Sequence, residues 1–435
     1  MGNLSVWENI AVDMFIYFLL SFLYNLGRKI IILDLTIIMA ALTCLLMPVI
    51  FYHNYTQADF LARIWVKYMP IPSDDYFSFT VPAVLALYLG LNLPLGRSKV
   101  YANPEDYIKN VKIYLSTRPR LGITLIIIGF ASGLLNVLVP GNLKQVFYLL
   151  AHLTHVGVFY TLYSPGKNKR IAVPAVLLLV LGQSVMTGMF GELIFMLATS
   201  LVLLLLGTHI SFTKKLTFAI AGIFLIVVLQ SVKQEYRKKI WNETGSGDAF
   251  YFSQLISDRV SDPSVLLNRD ALFTSAVRMN QGWLVAMTMA RVPEKFSFAY
   301  GETIGLSVAA AIVPRFMWAD KPETGGKANL KRFWGFDLVG FSTNIGILGE
   351  AYANFDRVGG IIYMFFYGLF FNFVLMTILR LSTKTPSLVL WIPYFFFNAI
   401  AVETDLLSTM GALMKSIMFA ALVFWAFKRF YKINL

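Results

Sequence analysis

This chain is poor in charge and almost without cysteine. Asp, Glu, Lys and Arg make up only 14% of its 435 residues, where a soluble domain carries about a quarter. So dilute a charge excludes an ordinary soluble domain. The one cysteine, Cys44, lies in an apolar run, so no intramolecular disulfide is available. The four histidines show no metal-ligand spacing across loops. The first apolar run lacks both a basic leading region and a small-residue cleavage site, so no cleavable signal peptide is expected.

What the chain has instead is apolar length. Hydrophobic residues make up 57%, aromatics 15%, and the mean hydropathy is +0.65. Runs of about 20 apolar residues, enough to cross a bilayer core, recur. The pattern predicts an all-α polytopic membrane protein with about eleven transmembrane helices. They are Ile10–Leu26, Leu35–Tyr52, Tyr76–Leu95, Leu121–Val139, Asn142–Tyr163, Ile171–Val185, Met189–Gly207, Leu216–Val232, Val358–Leu379, Leu388–Val402 and Thr409–Phe427.

The net charge of +13 then reads first as cytoplasmic lysine and arginine, not as nucleic-acid binding. "GRK" at 27–29, the Arg97–Arg120 loop, "GKNKR" at 166–170, Lys214–Lys215, "RLSTK" at 380–384 and the tail "KRFYKINL" all fall on one side of eleven spans. The positive-inside rule makes that side cytoplasmic, with the N-terminus outside and the C-terminus inside. The chain divides into 1–232 with eight spans, 233–357 as one large extracytoplasmic loop, and 358–435 with three spans and the basic tail.

From Lys233 to Glu350 that loop holds 14 Lys+Arg against 12 Asp+Glu. Orientation does not require these cations, because the rule weakens for long loops. Lys233 and Arg237, four apart, share a helix face at the membrane surface. They either snorkel to headgroups or form a cationic rim for an anionic lipid-linked ligand. An amphipathic helix is expected from Ser264 to about Met289, opened by Asp262-Pro263 and closed by Pro293. Within it Arg278 is a surface charge or a buried cation with a partner, and its apolar surroundings favour the second. The stretch before Pro314 is apolar but too short to span, which suits a re-entrant or interfacial segment. Its end presents Arg315, Trp318, Asp320 and Lys321 at the interface. Glu350, in the apolar stretch "FSTNIGILGEAYANF", should be paired or raised in pKa by desolvation. Either state suits a proton acceptor, and both suit a structural ion pair.

Two blocks, "IVPRFMWADKP" and "FSTNIGILGEAYANFDRVGG", resemble the signature of Wzy-type oligosaccharide repeat-unit polymerases of bacterial inner membranes. The matching positions are Pro314, Arg315, Trp318, Asp320, Lys321 and Pro322, then Gly349, Glu350, Tyr352, Asn354 and Phe355. "VRMNQGWLVAMTMARVP", with Arg278 and Pro293, and "TGMFGEL", Thr187–Leu193, resemble further family segments. The resemblance covers Thr187–Gly360. It implies a membrane-embedded glycosyltransferase of the GT-C type, multi-pass in the inner membrane. Such an enzyme joins undecaprenyl-pyrophosphate-linked oligosaccharides into O-antigen, capsule or exopolysaccharide at the outer face. Its partners would be those lipid-linked substrates, the bilayer, a flippase and a chain-length regulator.

Charge grows on the pyrophosphate as the glycosidic bond breaks, and arginine pairs with phosphate in two places. Arg278, Arg315 and Lys321, with Lys233 and Arg237 behind them, are therefore the expected pyrophosphate ligands. No DxD-like pair appears in the loop, so a metal-independent site without cofactor is expected. The loop has no histidine, which leaves carboxylates as base: Glu350 first, then Asp320, whose Asp-Lys-Pro context also simply makes a turn. Glu192, Trp318, Tyr352 and Asn354 are expected to orient substrate. Two alternatives stand beside this reading. An O-antigen ligase resembles it but carries a loop histidine, which this chain lacks. A flippase or transporter favours internal repeats and polar midplane helices, and no convincing repeat is seen.

Overall fold

The computed structural model describes residues 4–54, 69–95, 104–136, 138–166, 169–240, 247–262, 273, 276–315, 317–337, 343–433 and 435. Among these every regular element is helical. Each of the eleven apolar runs lies on helix. Fewer of them are full spans. Seven helices are long and apolar enough to cross a membrane, or eight if the pair Pro104–Ser116 and Leu121–Leu135, bent by 83°, counts as one. The run expected at Met189–Gly207 is a helix of only 15 residues, Gly191–Leu205. The run at Leu388–Val402 divides into a 3-10 turn, Pro386–Trp391, and a short helix, Ile392–Ile400. Proline at the start of each of those pieces explains the division, since proline fits a first helical turn and not an interior.

Local chemistry sets several helix ends. Ser5 and Glu8 form a capping box at the start of Val6–Asn25, which satisfies two otherwise orphaned N–H groups. Asp405 Oδ1 accepts the Ser408 N–H at 2.8 Å and caps Leu406–Tyr431. The most extensive helix pairing joins Ser73–Asn92 to Gly346–Ser382. There the backbones touch. A Cβ on Gly90 would lie 2.1 Å from the Phe365 carbonyl oxygen, and one on Gly368 2.5 Å from that of Leu87. Close approach through small residues is the usual way helices pack in lipid.

Loop contacts gather into two ends. At one, Gly207 N–H bonds to Gly27 O, His209 meets Glu105, Lys215 reaches Tyr24 O and Arg380 reaches Leu95 O. At the other, His53 meets Glu8, Arg357 meets Asp75, Arg237 bonds to Gly188 O, and Ile347 N–H to Val402 O. Of the six basic segments that the charge rule groups on one side, four take part in the first set of contacts: 27–29, 97–120, 214–215 and 380–384.

The helices of the large loop sit at the second end: Ala249–Ser261, Gly282–Arg291, Glu302–Ile312 and Lys327–Trp334. The single amphipathic helix expected from Ser264 to Met289 does not hold. Residues 263–272, 274 and 275 lie outside the described residues, and the described part breaks at Asn280 before Gly282–Arg291 begins. The break follows from packing. A Cβ on Gly282 would fall 2.3 Å from the Tyr76 hydroxyl and 2.4 Å from Pro48 Cγ, so the loop turns here against two other helices. The stop before Pro293 is as expected, at Arg291. Glu302–Ile312 is 11 residues long and packs along Leu406–Tyr431. The long helix Gly346–Ser382 loses helical geometry at Asp356 (φ 59°, ψ −167°). Arg357 fastens that break to the start of Ser73–Asn92, donating to Asp75 O at 2.9 Å.

Candidate functional site

The block that follows Pro314 folds as tight turns: Met317 N–H to Pro314 O, Trp318 N–H to Arg315 O, and Lys321 N–H to Trp318 O. Lys321 Nζ donates to Val313 O at 2.8 Å, the carbonyl at the C-cap of Glu302–Ile312. A cation there also suits the negative end of the helix dipole. Desolvation, and then the charges of Lys415 and Arg315, hold its ammonium below the usual lysine value. Arg315 and Asp320 are exposed and Trp318 is half-buried. Two residues with positive φ, Gly325 and Gly326, carry the chain onward. A side chain on Gly326 would meet Thr343 O at 2.1 Å, so glycine is required.

This turn forms the lip of a cavity of about 420 Å³. Gly325 N–H bonds to Ser408 Oγ at 3.3 Å, which seats the lip on the last helix. Below Thr324 and Gly325 the walls come from Gly141–Ala151, Leu153–Tyr163, Gly191–Leu205, Ile392–Ile400 and Leu406–Tyr431. They carry Lys415, His152 and His155 among mostly aromatic and aliphatic side chains.

A second group of charges lies apart from that cavity. Lys233 and Arg237 sit one turn apart on Phe212–Lys239, as their spacing predicts. Lys233 feels the charges of Arg237, Arg278 and Glu403. Arg278 is therefore brought to the pair, but it is exposed and not the buried cation expected. Partial desolvation still holds its guanidinium below the ordinary value. Glu403 is exposed to water, yet desolvation raises its carboxyl above the usual range, while Lys233 pulls the other way.

Three of the "GEAYANF" residues are buried and hydrogen-bonded within the fold. Glu350 is fully buried; its Oε2 accepts the Leu406 N–H at 2.8 Å and its Oε1 the Asn329 amide at 3.3 Å. The Leu406 N–H is one of the orphan donors that open a helix, where a carboxylate is favoured. Tyr352 is buried, with its hydroxyl on Val292 O at 3.3 Å. Asn354, also buried, accepts from Gly301 N–H at 3.2 Å and the Thr303 hydroxyl at 3.0 Å, and donates to Glu350 O at 2.9 Å. None of the three lines the cavity. The side chain of Glu192 lies outside the described residues. The structure thus brings Lys233 within the field of Arg237 and Arg278, and Lys321 within that of Lys415 and Arg315, while Glu350 bonds to Leu406 and Asn329. Glu403 and Lys415 were missed by the sequence reading. A lone lysine in the apolar run "MGALMKSIMF" was the available signal for the latter. Among the described residues no three His, Cys, Asp or Glu side chains lie close enough to hold a metal ion.

The model of a family described as a domain of unknown function (DUF8712) matches residues 100–381. The chain belongs to that family. The DUF8712 match takes in the whole large loop and its cations and stops before Glu403 and Lys415. No curated protein and no solved structure matches the chain.

Proposed function

We propose that this chain is a multi-pass membrane glycosyltransferase of the Wzy type. It polymerises undecaprenyl-pyrophosphate-linked oligosaccharide units at the outer face of a bacterial inner membrane. The observation that supports the reading is the electrostatic grouping of Lys233 with Arg237, Arg278 and the carboxylate of Glu403. Like charges so close repel, and an anionic ligand offsets that cost. A pyrophosphate does so most fully as it leaves, because charge builds on it when the glycosidic bond breaks. The acceptor hydroxyl attacks the anomeric carbon, the bond electrons pass to the pyrophosphate oxygen, and a carboxylate takes the proton. Glu403 suits that step better than Glu350 or Asp320. It faces water beside the cations, and its raised affinity for protons matches a general base. Glu350 is sealed by its two hydrogen bonds. Arg315 and Lys321 act at the lip. The lone histidine pair in the walls, His152 and His155, leaves the loop without the histidine that a ligase reading calls for.

The test uses purified protein in liposomes with an undecaprenyl-pyrophosphate-linked oligosaccharide, read as a ladder on a gel. Wild type gives polymer in the presence of a chelator. Arg278→Ala and Glu403→Gln give single units while still inserting and folding. A wild-type protein that yields no ladder from this substrate overturns the proposal.

A further inference from the structure

The cavity under the Thr324–Gly325 lip has three features that the cation group around Glu403 does not explain. The first is Lys415. It is the tenth residue of the 26-residue helix Leu406–Tyr431, so at about 1.5 Å per residue it lies roughly 14 Å from that helix's start. An ionisable side chain within a spanning helix commonly marks a functional pathway, and this one is exposed and borders the cavity. Among the described residues Lys415 makes no ion pair, and it lines the cavity. The second is His155. Both of its ring nitrogens are shielded from solvent and neither has a hydrogen-bond partner, although the ring also lines the cavity. Buried polar atoms are nearly always paired, so the helix packing leaves this imidazole unsatisfied behind the cavity wall, its nitrogens closed off from the cavity space. The third is the wall itself. Phe195 and Phe397 meet edge to face with ring centroids 4.4 Å apart, and Phe159 and Met196 continue the apolar surface.

We infer that this cavity binds the phosphate end of a phosphorylated lipid, with Lys415 as counter-charge and the phenylalanines along its first hydrocarbon units. A lysine on the cavity wall calls for an oxyanion. Apolar walls between membrane helices call for a hydrocarbon attached to it. The volume of about 420 Å³ falls within the range of ordinary small-ligand sites, roughly 300–1,000 Å³. A carrier lipid phosphate and a phospholipid headgroup share this chemistry. In taking the carrier as the occupant, the inference rests on the polymerase reading.

The experiment is native mass spectrometry of the full chain titrated with undecaprenyl phosphate, phosphatidylglycerol or uncharged undecaprenol. Undecaprenyl phosphate should bind and undecaprenol should not. Lys415→Gln should weaken binding at least about tenfold, the lower end for loss of a charge-assisted contact, and Lys415→Arg should restore most of it. Ala412→Phe, which fills the cavity from the same helix, should abolish binding and serves as the test if Lys415→Gln does not fold. Tighter binding of phosphatidylglycerol keeps the phosphate site and removes the carrier assignment. Equal binding of undecaprenol, or unchanged binding in both Lys415→Gln and Ala412→Phe, overturns the inference. Polymer yield is read separately. Binding lost in the variants of a protein that makes no polymer upholds this site without the polymerase reading. Polymer made by variants whose binding is unchanged does the reverse.

Discussion

Glu350 separates two roles that sequence alone leaves merged. If it braces the fold, replacing it should cost stability first and activity only as a consequence. The structure sets the size of the effect. Glu350→Ala strips an acceptor from two buried donors, the Leu406 N–H at 2.8 Å and the Asn329 amide at 3.3 Å. At about 1–3 kcal/mol for each orphaned buried donor, the loss is roughly 2–6 kcal/mol. That is a large part of a typical stability of about 5–15 kcal/mol. Glu350→Gln is gentler. Its carbonyl still accepts from Leu406, and a flip of the Asn329 amide offers its new NH₂ an acceptor. What remains lost is chiefly the fit of one hydrogen-bond acceptor, so the cost should be well below that of Glu350→Ala. Unfolding in mixed micelles with rising denaturing detergent, followed by tryptophan fluorescence, should rank wild type above Gln above Ala. Polymer yield at a temperature where the Gln variant stays folded should be close to wild type. A Glu350→Gln protein as stable as wild type but inactive would refute the brace and restore Glu350 as the proton acceptor.

Other expectations follow from the same geometry. Glu403 has a raised carboxyl pKa, so its contribution to stability is fully present below the ordinary value of 4.5 and is lost as pH climbs through the raised one. Melting temperatures across that range should fall for wild type, and the fall should be shallower for Glu403→Gln; parallel curves would remove Glu403 from the account. Gly90→Val drives a side chain into the backbone of Gly346–Ser382, where even a Cβ lies 2.1 Å from Phe365 O. It should cost at least the ~1–3 kcal/mol typical of overpacking, read as a lower melting temperature, whereas Gly141→Val, with nothing within 4 Å, should not. In a Cys44→Ser background, Asp320→Cys should react with a membrane-impermeant maleimide on intact cells, and Lys214→Cys only after permeabilisation. The opposite pattern inverts the topology.

How much of this was legible in the sequence depends on the range over which each feature is decided. Apolar length is local, and all eleven runs are helices. The short reach of the segment before Pro314 and the stop before Pro293 were equally local. Which runs are full spans was not, because Pro386 and Pro393 divide one of them and the 83° bend sets another at an angle to its neighbour. The failure at Arg278 is instructive. Apolar neighbours in sequence suggested burial, but the helix breaks at Asn280 where Gly282 meets Tyr76 and Pro48, and the arginine is left outside. For Glu350 the sequence correctly marked an odd carboxylate. Its partners, Asn329 and the start of the last helix, are 21 and 56 residues away, and no local pattern points to them.

The cations at the loop-bearing end divide by what they touch. Arg259 pairs with Glu235 at 2.6 Å, Lys331 with Asp337 at 3.0 Å, Arg357 with Asp75 at 3.5 Å and Lys327 with Glu323 at 3.8 Å. These exposed or half-exposed pairs are each worth little, about 0–1 kcal/mol, and they account for their charges without any ligand. Arg278, Arg315 and Lys415 have no such pair among the described residues. All three are exposed, and Lys415 also lines a cavity between apolar helices. Neither the positive-inside rule nor internal pairing requires a cation at any of the three places. Repulsion within each group makes the gathering unfavourable in the empty protein. On the proposed reading an anion carried on a lipid would offset that repulsion, since arginine and lysine beside a bilayer attract anionic headgroups.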